Sequence, residues 1–188
     1  PAGSELSPGQ IYDANSDLLS SGVSKAGGKT IKYGIVPDSK EKLENILSKA
    51  TDETEIVISS GGTSAGAHDL IHRILKKQGN IYAHGIKIKP GKPTILAELH
   101  GTPFFGLPGN PSSAYVVFRI FLAPLIRKLS GVQEEEKECV SAELAQRIRS
   151  EGGRLEQKYV GLVKRNKKYK AYPIDKVSGA ITLLTEAE

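Results

Sequence analysis

Glu55-Ile56-Val57-Ile58-Ser59-Ser60, then Gly61-Gly62-Thr63-Ser64-Ala65-Gly66-Ala67-His68-Asp69, then Leu70-Ile71-His72-Arg73-Ile74-Leu75 is the stretch whose reading decides the fold. The first run is apolar and β-branched, as a buried strand requires, and the last spaces its apolar residues along one face of a helix. The glycine-rich middle is therefore a strand-to-helix turn. Small residues there let a ligand approach the backbone, the Thr63 and Ser64 hydroxyls add donors, and the start of the helix offers free N–H groups and the positive end of its dipole. A tight turn capped by Ser, Thr or Asp has the same composition, so the string by itself leaves two readings, anion cradle and capped turn. The flanking sequence has to choose between them.

Upstream, residues 1–8 read as a linker or as the end of a missing N-terminal region. A helix follows Gln10-Ile11-Tyr12-Asp13-Ala14-Asn15, with Asp13 or Asn15 as its cap, Leu18, Leu19 and Val23 as its apolar face, and Gly27-Gly28 as its end. Residues 30–36 alternate and are predicted to form a strand, and Asp38 or Ser39 caps a helix over about 40–50 that carries Leu43, Ile46 and Leu47 on one face. The order helix, strand, helix, strand, helix predicts right-handed crossovers. The expected fold is α/β, a mostly parallel sheet with helices on both faces.

Downstream, 80–89 is predicted as a strand, Pro90-Gly91-Lys92-Pro93 as a turn, 94–99 as a strand and 103–106 as a short one after His100-Gly101. Leu107-Pro108-Gly109-Asn110-Pro111-Ser112-Ser113 then forms a second strand-turn-helix, in which Pro111 suits the first helical turn, and the helix runs to about Gly131. Two such turns at the carboxyl ends of strands in one open sheet share one crevice, where ligands bind in this architecture. The charged run 133–138 marks a boundary between an α/β domain, 9–132, and a small β-domain, 133–188. Strands are predicted over 155–163 and 169–174 around the basic turn Lys164-Arg165-Asn166-Lys167-Lys168, with a further one over 180–184.

Composition sets the class. With 25% charged and 38% hydrophobic residues, the chain of 188 is an ordinary globular protein. Its single cysteine, Cys139, allows no internal disulfide, which fits a reducing cytoplasm. No signal peptide is visible, and the apolar stretch 114–126 is interrupted by Arg119 and Pro124 and too short for a bilayer, so no membrane partner is expected. The net charge of +5 comes from scattered residues, and the basic run at 164–168 has the look of a hairpin tip, which argues against nucleic acid. His68 and His84 read as surface histidines rather than metal ligands.

Five strings occur together in order: Pro8-Gly9-Gln10-Ile11-Tyr12-Asp13-Ala14-Asn15, Pro37-Asp38, Ser59-Ser60-Gly61-Gly62-Thr63-Ser64-Ala65-Gly66, Lys89-Pro90-Gly91-Lys92-Pro93, and Gly106-Leu107-Pro108-Gly109-Asn110-Pro111-Ser112-Ser113-Ala114. In that register the chain resembles the molybdopterin molybdotransferases, the MoeA and gephyrin E-domain family. The resemblance covers nearly the whole chain and weakens at Ser178-Gly179 and Leu183-Leu184. It implies a MogA/MoaB-like molybdopterin-binding domain followed by a small β-barrel-like domain. It also implies the final step of molybdenum cofactor biosynthesis, in which adenylylated molybdopterin and molybdate become cofactor with release of AMP, assisted by Mg²⁺. A homodimer and a molybdopterin adenylyltransferase partner belong to the same expectation, as do two further domains before residue 1.

The site expected from these readings has three parts. Gly61, Gly62, Thr63, Ser64 and Gly66 on one turn, with Pro108, Gly109, Asn110, Pro111, Ser112 and Ser113 on the other, bind the pterin and its phosphate tail through backbone N–H groups. Lys89 and Lys92 draw in molybdate. Asp38 and Asp69, both just past predicted strand ends, supply hard oxygen ligands for Mg²⁺, with Glu5 matched to a further acidic position. Ala67 stands where many relatives of the family carry an acid, and Gly85 where some carry a lysine, for which Lys87 or His84 would compensate. A non-catalytic molybdopterin-binding or protein-docking module is the competing expectation.

Overall fold

The computed structural model describes residues 5, 7, 11–61, 67–133, 139–166 and 168–174, with the backbone but not the side chains of 67–69. Its central sheet has the order β1 (Val57–Ser60), β5 (Thr102–Leu107), β4 (Ile95–Leu99), β2 (Gly79–His84). β1 and β5 run parallel, while β5 with β4 and β4 with β2 are antiparallel. The sheet is thus mixed, which corrects the mostly parallel expectation. The reason is local: His100 and Gly101 take φ of 49° and 84° and join β4 to β5 in a two-residue turn, which makes antiparallel neighbours and is far too short for a crossover.

A second correction concerns residues 30–36, which form no strand. Alternation gives them an apolar side, and Tyr33 and Val36 do pack on the core, but Ile31 and Ile35 stay exposed. A strand also needs a hydrogen-bonded neighbour, and this segment is held instead by side chains, Lys32 Nζ to Asp17 at 2.7 Å and Tyr33 Oη to Glu53 at 2.7 Å.

Helices cover both faces, as expected. On one side α1 (Asn15–Lys25), α4 (Pro111–Val117) and α5 (Ala123–Ser130) bury Leu19, Val23, Val117, Phe118 and Ile126 against Leu107, with Ile58 and Phe105 packed on them. On the other, α2 (Lys40–Glu53) and α3 (Ala67–Gln78) bury Leu43, Leu47, Ile74 and Leu75 against Val57, Ile95, Leu99 and Phe104. Val57 and Ile58, like Phe104 and Phe105, go to opposite layers because successive strand side chains alternate. α4 continues into α5 through a π turn at Phe118–Leu122, just where Pro124 removes a helix N–H, and Gly131 closes α5 at φ 68°.

Beyond residue 139 the described chain forms an open three-stranded sheet ordered β6 (Ala142–Leu144), β9 (Lys168–Pro173), β8 (Val160–Arg165). The predicted basic turn is the tip of the β8–β9 hairpin, with Arg165 opposite Lys168. No closed barrel forms among the described residues, and the predicted strand 180–184 and the Ser178-Gly179 and Leu183-Leu184 strings lie outside them. The predicted strands 80–89 and 155–163 each split. Gly85, at φ 84°, separates β2 from β3 (Ile88–Lys89), and β3 pairs in parallel with β7 (Leu155–Glu156). Leu155 N–H donates to Lys87 O at 2.9 Å and Gln157 N–H to Lys89 O at 2.8 Å. No helix among the described residues is long and apolar enough to cross a membrane.

Candidate functional site

The parallel register sets Ser60 opposite Leu107, so the two turns leave neighbouring strands side by side at their carboxyl ends. Asn15 ties them together. Its Nδ2 donates to Ser60 Oγ at 2.7 Å and to Gly109 O at 2.9 Å, while its own Oδ1 is buried and has no donor among the described residues. Three segments thus converge on one amide: the first turn of α1, the end of β1 and the turn before α4. The sequence suggested only a cap for Asn15, whereas the capping is done by Asp13, whose carboxylate accepts from the Ser16 N–H at 3.1 Å and from the Ser16 hydroxyl. Burial pushes the Asp13 carboxyl up, but the hydrogen bonds from Ser16 outweigh it and hold it below the ordinary carboxylate range. The signal that was available is a second polar residue two positions after the capping Asp, on the side of the helix that must face the sheet.

The second turn is internally braced. Asn110 is the N-cap of α4, and its Oδ1 accepts from Ser113 N–H at 3.2 Å and from the Ser112 and Ser113 hydroxyls at 2.8 and 3.3 Å. Pro111 stands in the first turn, as expected, Pro108 is buried, and Gly109 is exposed. Gly61 takes φ of 87°, a left-handed conformation that suits glycine. Gly62, Thr63, Ser64 and Gly66 lie outside the described residues. So does the side chain of Asp69, whose backbone is in the first turn of α3.

The Lys89–Pro93 turn sits elsewhere in the force balance. Its Lys89-Pro90 peptide is cis, and Gly91, at φ 123°, lies on α4, where a Cβ would come within 2.5 Å of Val117 Cγ2. Thr94 Oγ1 closes the turn on Gly91 O at 2.7 Å. Lys89 is not a free cation: its Nζ is 3.2 Å from Glu151 Oε1 and 3.4 Å from Glu156 Oε1. Those contacts, Glu151 first, raise its pKa above the ordinary lysine range. Glu156 is held down to about 2 by hydrogen bonds from Lys158, Ser150 and Lys89, which together overcome its burial. Lys92 is exposed and, among the described residues, forms no ion pair.

The remaining candidates are dispersed or undescribed. Glu5 and Asp38 are exposed, and Ser39, at the N-cap of α2, makes no side-chain capping bond. Among the described residues no three His, Cys, Asp or Glu side chains gather as a metal site. The His84 ring lies 4.7 Å from that of His72, a proximity that only the α3–β2 packing creates.

Fold and site together define a three-layer α/β protein with paired strand-to-helix turns at the carboxyl ends of two parallel strands. The chain belongs to the molybdopterin-binding domain family: residues 2–128 match the family's model, described as "Probable molybdopterin binding domain". Among curated proteins it is similar to the molybdopterin molybdenumtransferase of Nostoc sp., 41% identical over 131 residues, 68% of this chain and 30% of that protein. It is also similar to the Haemophilus influenzae protein of the same name, 38% identical over 72% of this chain and 33% of the relative. Of solved structures, the molybdopterin biosynthesis MoeA protein from Pyrococcus horikosii superimposes with a TM-score of 0.79 at 36% identity, over 100% of this chain and 45% of that one. The chain spans about a third of the length of these two curated relatives.

Proposed function

We propose that the chain binds molybdopterin in the crevice between the two turns and serves the insertion of molybdate into adenylylated molybdopterin, with release of AMP. The observation that carries this reading is the Asn15 bridge, which joins the end of β1 to the turn that follows β5. The N-terminus of α4, with the Ser112 and Ser113 hydroxyls, suits a phosphate or pyrophosphate tail, and the Oδ1 of Asn15, without a donor among the described residues, suits a heterocycle that carries N–H groups, as a pterin does. Membership of the family and the names of the relatives support the same substrate. In the proposed reaction water adds across the phosphoanhydride, so that AMP leaves and the pterin keeps its own phosphate, and two Mo–S bonds form as one molybdate oxygen departs as water with the two dithiol protons. The chain's own part is to hold the pterin and its phosphates fixed and to bring the oxyanion beside them with Lys89 and Lys92.

Mg²⁺ belongs to the same proposal: Asp38, Asp69 and Glu5 would hold it, and it would supply charge stabilisation at the phosphoanhydride; Glu5 and Asp38 are exposed, and the Asp69 side chain lies outside the described residues. The proposal also includes a homodimer, two domains divided near residue 132, and delivery of the adenylylated pterin by a molybdopterin adenylyltransferase. Calorimetry with molybdopterin, followed by an AMP-release assay on the same sample, tests the reading. Asp69→Asn should abolish molybdate-dependent AMP release without moving the thermal midpoint, and unchanged turnover would refute the assignment. A non-catalytic molybdopterin-binding or protein-docking module is the second reading; binding without release decides for it.

A further inference from the structure

Lys89 is one of the two cations on which the molybdate reading relies, and its ammonium is already occupied. Glu151 Oε1 stands 3.2 Å from it and Glu156 Oε1 3.4 Å. Each of these carboxylates has a second cation of its own: Lys158 Nζ lies 2.7 Å from the same Glu156 oxygen, and Arg154 Nη2 lies 3.2 Å from Glu151 Oε2.

This arrangement makes Lys89 the exchangeable member. The Glu156 side chain is only 6% exposed, and a carboxylate that deep would be costly to strip of its sole partner. It would not be stripped, because the Lys158 contact is shorter than the Lys89 contact and stays when Lys89 leaves. Lys89 itself is 37% exposed and carries its charge on a flexible stem. The backbone ladder between β3 and β7 holds through Lys87 O and Lys89 O, so release needs a side-chain rotation and no strand separation. Lys89, Arg154 and Lys158 face two carboxylates, which leaves the cluster with surplus positive charge.

We infer that Glu156 and Glu151 are positioning residues for Lys89, holding its ammonium until a doubly charged oxyanion such as molybdate takes it from them; this rests on the reading of Lys89 as a molybdate-binding residue. A dianion with four oxygens is the stronger electrostatic partner for an exposed ammonium than either singly charged carboxylate, each of which is already half satisfied elsewhere. The carboxylates therefore lower the apparent oxyanion affinity of the empty site while keeping Lys89 in place on β3. A purely structural role for Glu156 makes the opposite prediction, since loss of a brace does not tighten binding.

Sodium molybdate titrated into the full chain at low ionic strength, followed by calorimetry, separates the cases, with a thermal melt of every variant. Glu156→Gln and Glu151→Gln should each bind about two- to fivefold tighter than wild type, the size expected for loss of an exposed competing ion pair. Lys89→Ala should bind more weakly, and adding Glu156→Gln to Lys89→Ala should restore nothing. Glu151, at 57% exposure, provides the test if Glu156→Gln does not fold. If Lys89→Ala weakens binding but neither glutamine variant strengthens it, the competition is overturned and the reading of Lys89 stands. If Lys89→Ala leaves binding unchanged, or wild type binds no molybdate, the reading of Lys89 falls and the inference falls with it.

Discussion

The turn 107–113 and the turn 89–93 are alike in composition, both built on Pro and Gly with polar residues between, yet they are held by different forces. The first is fixed by neutral hydrogen bonds in or near the core: Asn15 to Gly109, and Asn110 to Ser112 and Ser113. The second has its backbone packed on Val117 through Gly91, while its functional side chain, Lys89, is held by charge at the surface. Neutral hydrogen bonds among part-buried groups set one geometry, whereas half-exposed ion pairs exchange partners and are screened by salt. A binding floor is preorganised by the first kind of contact. A cation that must meet an incoming anion is better kept by the second.

The comparison breaks if its two sides respond alike. The largest effect is expected at Gly91→Val, where the new side chain meets Val117 in a left-handed backbone conformation; denaturant unfolding should show a loss of about 2 to 4 kcal/mol. Full tolerance there would mean that charge, not packing, holds the 89–93 turn. Asn15→Ala removes the donors to Ser60 and Gly109 and should cost about 1 to 3 kcal/mol, together with at least about a tenfold loss of molybdopterin affinity. Retained affinity would show that the two turns keep their spacing without the bridge. The smallest effect belongs to the ion pairs and depends on acid. The Glu156 carboxyl sits near 2 in the fold against an ordinary 4.5, so its contribution is complete above pH 4.5 and is lost as the pH falls toward 2. Thermal midpoints measured across that window should decline, and Glu156→Gln should flatten the decline.

Much of the frame was legible in the chain because it is written in local chemistry. The periodicity of Leu43 and Leu47 marks α2, Pro111 after Asn110 marks the start of α4, and Gly131 marks the end of α5. The strand predicted over 30–36 failed for a reason that periodicity does not contain: alternation describes a face, and pairing needs a neighbour. The mixed sheet was misread even though its cause, the His100-Gly101 turn, was visible. A two-residue connection between apolar runs is a hairpin, and it outweighs the helix-strand alternation on its other side.

The candidate site divides in the same way. Both glycine turns and the Lys89–Lys92 string stand out as sequence, since unusual backbone conformations and helix starts demand particular residues. The role of Asn15 does not, because a polar residue at a helix start looks like a cap until the fold places Ser60 and Gly109, 45 and 94 residues away, against its amide. Nor does the engagement of Lys89, which depends on β7 returning from residue 155 to lie along β3.

By itself, then, the chain determined its helices, its two strand-to-helix turns and its family, since these follow from contacts within a few residues or from strings of fixed spacing. Tertiary structure alone decided the pairing of β1 with β5, the amide that joins the end of β1 to the turn before α4, and the carboxylates that hold Lys89. Each of these is a meeting of groups far apart along the chain, and the energy that selects it comes from burial and charge shared between them rather than from either segment.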